Sequence, residues 1–185
     1  MILDHIVLRV DHLDRAVAEW GQRFQVVPGG RHDTGSHNAL VAFANGSYLE
    51  LLGFPEPTPS HPWWPLPPGL VDFCVATADL DRDLGALHVP MQAPFEMSRR
   101  RPDGYLLRWR IAFPASAWRG RVPFLIEDIT PRSERVPRPA ANAPTLDKLV
   151  VYDPQPVDLA IEGVEVRRSP ERRLQAVLKP HYVID

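Results

Sequence analysis

The pattern that most restricts this chain is a strand-like alternation running straight into an amphipathic helix, and it occurs twice. In Leu3-Asp4-His5-Ile6-Val7-Leu8-Arg9-Val10, an extended backbone puts Ile6, Leu8 and Val10 on one face. Leu3, His5, Val7 and Arg9 fall on the other. A helix capped by Asp11 is expected next, with Leu13, Ala16, Val17, Trp20 and Phe24 at three- and four-residue steps. Asp14 in its first turn has the sign that a helix N-terminus favours. The aliphatic face of the strand suits that helix, so His5 is left among apolar neighbours on the opposite face. A histidine there is either a satisfied core group or a ligand.

Val26-Val27 reads as a short strand ended by Pro28-Gly29-Gly30, and 38–43 as a third strand. Asn45-Gly46 marks a hairpin turn into Tyr48-Leu49-Glu50-Leu51-Leu52, where Tyr48, Glu50 and Leu52 share a face. From residue 70 the pattern returns. A strand over 70–77 leads to Asp79-Leu80-Asp81, which mirrors His12-Leu13-Asp14, and strands follow near 95–98, 105–113 and 123–129. A repeat with a period of about 70 residues therefore organises the chain.

The expected fold class is α+β, with two β-α-β-β-β modules (1–54 and 70–130) forming a curved mixed sheet around a cavity. Residues 55–68 carry seven prolines with Trp63 and Trp64, which excludes helix and central strand. The stretch 55–69 reads as an ordered linker or lid, since loose linkers rarely carry so much apolar area. Residues 131–185 read as a connector and a small C-terminal appendage, with strand candidates at 148–152, 163–167 and 174–178.

A net charge of −2 offers no global attraction to nucleic acid or membrane, and neither is expected as a partner. No apolar run reaches the roughly 20 residues of a membrane span. The single cysteine, Cys74, suits a reducing compartment and reads as a buried small hydrophobe. With no basic segment at the start, a cytoplasmic location is expected. Gly-rich phosphate loops, a Gly-x-Ser-x-Gly elbow, Cys-x-x-Cys and His-Glu-x-x-His are absent, which argues against nucleotide-dependent, serine-hydrolase and zinc-ribbon chemistry.

The paired modules, the Leu-Asp-His opening and the Tyr-Leu-Glu-Leu close together resemble the vicinal oxygen chelate superfamily. Gly29-Gly30-Arg31-His32, Gly35-Ser36-His37-Asn38-Ala39-Leu40, the stretch from Ser98 to Gly104 and Leu107-Arg108-Trp109-Arg110 resemble its glyoxalase-like domain branch. The resemblance implies a cup holding a divalent metal (Mn, Fe, Ni, Zn or Mg). A His on each module's first strand and a Glu or Gln on each last strand would ligate it. It implies a lyase, isomerase or dioxygenase acting on a small oxygenated molecule by electrophilic catalysis. The alternative is a metal-free protein of the resistance type that sequesters a small molecule. A homodimer is compatible with either.

Carried over, the resemblance makes His5 and Glu50 metal ligands, and the shared facing of His5 and Glu50 agrees with it independently. Asp72 stands where a second His is expected and reads equally as a ligand or as the partner of an arginine. Glu127 completes the set if its register is right. Glu50 is also a candidate catalytic group. His37, at the end of a Gly/Ser loop, is the leading candidate base, with His32 behind it. Arg99 and Arg101 are candidates for binding a substrate anion, and Trp109 for the cavity wall.

Overall fold

The computed structural model describes residues 2–180 and 182–185. Eight strands form one mixed sheet that closes round an axis: β1 (Ile2–Arg9), β2 (Val27–His32), β3 (His37–Ala42), β4 (Tyr48–Gly53), β5 (Gly69–Ala76), β6 (Phe95–Arg100), β7 (Leu106–Ala112) and β8 (Phe124–Asp128). Their order round the barrel is β1-β4-β3-β2-β6-β7-β8-β5. β1 runs parallel to β4 and β5 parallel to β8, and the remaining pairings are antiparallel.

The alternation in β1 and β4 partitions as the sequence predicts. Ile6, Leu8, Leu49 and Leu51 join Leu13 and Ala16 of helix α1 (Leu13–Gly21) in a core outside the barrel. Val7 and Leu52 face inward, against Met97, Trp109 and Phe124. Each large apolar side chain fully buried this way contributes on the order of 1.5–3 kcal/mol.

Four local expectations change. Helix α1 is preceded by His12, whose side chain makes no capping bond, and Asp11 instead pairs with Arg9. The second helix shrinks to one turn, α2 (Leu80–Asp83), capped by Asp79, then a 3-10 turn over Leu84–Leu87. His88, left-handed at φ 53°, ends it. Third, β2 does not stop at Pro28-Gly29-Gly30 but runs through it with a bulge. Gly30 has φ +131°, and a Cβ there would lie 2.0 Å from the Arg100 carbonyl oxygen. Only glycine allows β2 to approach β6 so closely, and the pairs Arg31–Arg100 and His32–Arg99 then close the barrel.

Fourth, the C-terminal region shares the main core. A short helix α3 (Arg132–Arg135) leads to a second sheet of β9 (Thr145–Asp153), β10 (Val164–Arg168), β11 (Arg173–Lys179) and β12 (Tyr182–Ile184), in the order β10-β9-β11-β12. Its Leu149, Val151, Leu174 and Ala176 belong to the same buried cluster as α1 and the outer face of the barrel. Tyr182 meets Trp20 and Phe24 edge-on at 5.8 and 5.6 Å.

Candidate active site

The barrel encloses a cavity of about 260 Å³. Polar groups gather on the first four strands and apolar groups on the last four. Glu50 is the centre of the polar end. The residue is 5% exposed, and its carboxylate accepts a 2.6 Å hydrogen bond from the Asn38 amide. His5 Nε2 lies 3.7 Å from one carboxylate oxygen and His32 Nε2 lies 3.7 Å from the other.

Both rings are held from behind. His5 Nδ1 is 2.7 Å from an Asp4 oxygen, and His32 Nδ1 is 2.9 Å from the Ser36 hydroxyl. Tyr48 stacks on His5 with ring centroids 4.6 Å apart, and Trp109 stands edge-on to His32. Burial lowers the pKa of His5 to about 3 and of His32 to about 4, so both imidazoles are neutral near pH 7. Burial alone would push Glu50 up, but it is held below its ordinary value, with the Asn38 hydrogen bond and the Arg99 charge favouring the anion where the imidazoles are neutral. The result is an anionic carboxylate facing two neutral nitrogens.

Arg135, on α3, supports this arrangement from the connector. It reaches the Asp4 carboxylate at 2.9 and 3.1 Å, the Tyr48 hydroxyl at 2.8 Å and Asp128 at 2.5 and 2.9 Å. Arg132 also pairs with Asp4. The connector thus locks the carboxylate that orients His5. Over the cavity lies the Pro-rich segment, which contributes His61 and Trp63. Burial lowers the His61 pKa to about 4.

The structure brings together only part of the expected set. His5 and Glu50 meet in the cavity, and Arg99 and Trp109 line it. Asp72 does not line it. Its fully buried carboxylate accepts hydrogen bonds from the Trp63 indole at 3.0 Å and from the Phe73 amide at 2.9 Å. Burial raises its pKa to about 6.

Glu127 faces outward, paired with Arg110 at 2.9 Å, because Phe124 and Ile126 take the inward positions of β8. The one-residue register question thus resolves against a ligand there. His37 shares the outer face of β3 with Ala39 and Val41, and its ring lies over Gly53, away from the cavity. It is therefore not placed to act as a base. Arg101 pairs with Asp103 and Glu134 at the surface and does not reach the cavity.

His32 takes the place expected of His37. Gly29-Gly30, a strand end by local signal, is what carries it there. Arg135, His61 and Tyr48 had no signal beyond an Arg-rich connector, a Pro/Trp-rich loop and the parity shared with Glu50.

Among the described residues, Asp4, His5 and Cys74 also have ligand atoms within 4.8 Å of one another. They fit a metal poorly. Asp4 is already neutralised by Arg135 and Arg132, and burial raises the Cys74 thiol well above its ordinary pKa, which opposes the thiolate form. His5, His32 and Glu50 fit better: two neutral Nε2 atoms, a carboxylate and a partner behind each ring.

None of the curated proteins compared matches the chain. A hypothetical protein from Staphylococcus aureus has a similar structure, with TM-score 0.69 and 15% identity over 92% of this chain and 87% of that one. The methylmalonyl-CoA epimerase of Mycobacterium tuberculosis aligns with TM-score 0.48 and 22% identity over 70% of this chain and 89% of that one. The glyoxalase-like domain profile matches residues 3–179, which takes in both the barrel and most of the second sheet. The chain therefore belongs to the glyoxalase-like domain family, within the vicinal oxygen chelate superfamily.

Proposed function

We propose that this protein is a metal-dependent enzyme of the lyase, isomerase or dioxygenase kind, acting on a small oxygenated molecule held in the barrel cavity. The observation that carries the reading is the matched restraint of two neutral imidazoles. Asp4 and Ser36 occupy the Nδ1 atoms, and both Nε2 atoms lie 3.7 Å from the Glu50 carboxylate. His5, His32 and Glu50 would hold a divalent ion, with no part for Asp72 or Glu127. Such an ion, when bound, stabilises negative charge developing on a substrate oxygen.

The chain's own residues do the rest. Asp4 and Ser36 fix the tautomers, so that each Nε2 presents a lone pair. Asn38 keeps Glu50 aligned and anionic. Trp63, Trp109 and Phe124 exclude water from the polar end. On this reading strands β1–β4 and β5–β8 are two copies of one β-α-β-β-β unit, and only the first copy carries ligands.

One observation favours the metal-free alternative. The second half of the barrel offers no ligand, with Ile126 on the cavity face where a carboxylate was expected. Metal content separates the two. Protein purified without chelator should carry near-stoichiometric Mn, Fe, Ni, Zn or Mg, and His5→Ala, His32→Ala and Glu50→Ala should each lose it. Absence of metal even after reconstitution would sink the enzymatic reading and favour a sequestering protein.

A further inference from the structure

We propose that Arg99 is the seat for the carboxylate of a small organic acid whose apolar, ring-sized body lies along the second half of the barrel. The inference rests on the cavity being the functional site, and it names the class of molecule that site accepts.

Arg99 is 3% exposed, yet no carboxylate among the described residues lies within ion-pair distance of it. Its one hydrogen bond within the described chain goes from Nη2 to the Arg135 carbonyl oxygen at 2.9 Å. Nε has no partner, and neither does the neighbouring Asn38 Oδ1. A guanidinium has five N–H donors, and burying most of them without acceptors is costly.

The other fully buried charges around the cavity are committed. Arg135 and Arg132 are neutralised by Asp4, and Arg135 also by Asp128. Glu50 faces the two imidazoles and Asn38. Arg119, the remaining cavity arginine, is only part-buried and stacks on Phe113 at 4.3 Å. Arg99 is the fully buried charge with no carboxylate at ion-pair distance, Glu50 acting on it only from further off, and it faces a void.

A planar carboxylate matches a guanidinium fork. A phosphate dianion suits the position less, because Glu50 shares the polar end. Beyond Arg99 the wall is Met97, Trp109, Ile111, Phe113, Phe124 and Ile126, which offers no acceptors to a polar body. At about 260 Å³ the cavity is at the small end of ligand sites, so the body is no larger than an aromatic ring and a short chain.

The test is calorimetric titration of the full chain with benzoate, phenylacetate and phenylpyruvate, each against its own amide and against phenyl phosphate. Chelator-treated and manganese-loaded protein are compared. At least one acid should bind about tenfold or more tightly than its amide, and Arg99→Gln should abolish that preference. Arg99→Lys should keep part of it, and Arg119→Gln should keep most. Arg99→Met should leave the melting temperature unchanged or raised, since it removes an uncompensated buried charge. The assignment is overturned if no acid binds, if the acid preference survives Arg99→Gln, if phenyl phosphate binds best, or if Arg99→Met melts at a lower temperature. Loss of metal in the His5 and Glu50 variants bears on the proposed reaction and leaves this outcome readable, because the chelator-treated arm contains no metal.

Discussion

The two halves of the barrel share a strand order and differ in what they turn inward. β1–β4 present His5, His32, Asn38, Tyr48 and Glu50, while β5–β8 present mainly Met97, Trp109, Phe113, Phe124 and Ile126. Where the second half carries carboxylates, it disposes of them. Asp72 is sealed under Trp63, and Glu127 is turned outward to Arg110. The charge its strands send inward is Arg99 of β6, with Arg119 reaching the cavity from the segment between β7 and β8. One half holds a reactive centre and the other shapes the space beside it. Matching topology therefore does not imply matching chemistry: a single residue of register, or one indole, decides whether a carboxylate meets the cavity.

The largest test of this division is Arg135→Met. It leaves the buried Asp4 and the part-buried Asp128 without their main partner, and the cost should be about 3–5 kcal/mol in denaturant unfolding. A loss below about 1 kcal/mol would show that the connector does not hold the polar half together.

Next is Ser36→Ala, which frees His32 Nδ1 on the polar side only. Metal affinity should drop about 10–100-fold by competition with a chelating dye, while the fold persists. An unchanged affinity would remove His32 from the ligand set.

Acidification should act oppositely on the two halves. His5 and His32, depressed to about 3 and 4, contribute stability that is complete above the ordinary histidine value of 6.5. It is lost as pH falls towards their folded values, because the unfolded chain takes up protons first. Asp72, raised to about 6, binds its proton first in the folded state and so gains stability as pH falls from about 6 towards 3.8. Melting temperature should fall between pH 7 and pH 4, with His32→Gln flattening the profile and Asp72→Asn steepening it. A flat wild-type profile would show that the imidazoles are not desolvated.

The smallest effect is expected for Glu127→Ala. An outward ion pair of this kind contributes under about 1 kcal/mol, and metal content should not change. Loss of metal would restore the symmetric ligand set and overturn the division itself.

Much of the fold was legible because it rests on local periodicity. The parity of β1 and β4 sorted His5 and Glu50 from Ile6, Leu8, Leu49 and Leu51, since a strand has only two faces. The Asn45-Gly46 turn is an equally local signal. The family profile confirms the branch that the Gly-Gly-Arg-His and Trp-flanking Arg motifs suggested. The helix cap at Asp11 and the end of β2 at Gly29-Gly30 failed for the same reason. In each case a residue's local preference gave way to another partner: Arg9, two residues back, for Asp11, and β6, about 70 residues on, for the glycines.

The sequence by itself determined the amphipathic strand-and-helix start of the chain, the inward parity of His5 and Glu50, and the apolar character of Trp109. Tertiary structure alone decided that β2 runs through its glycines to meet β6 and bring His32 to the cavity. It also decided that Trp63 closes on Asp72, and that Arg135 crosses from the connector to lock Asp4. Periodicity is a property of neighbours along the chain, whereas barrel closure and buried charge pairing depend on groups up to 131 residues apart, whose encounter no local pattern encodes.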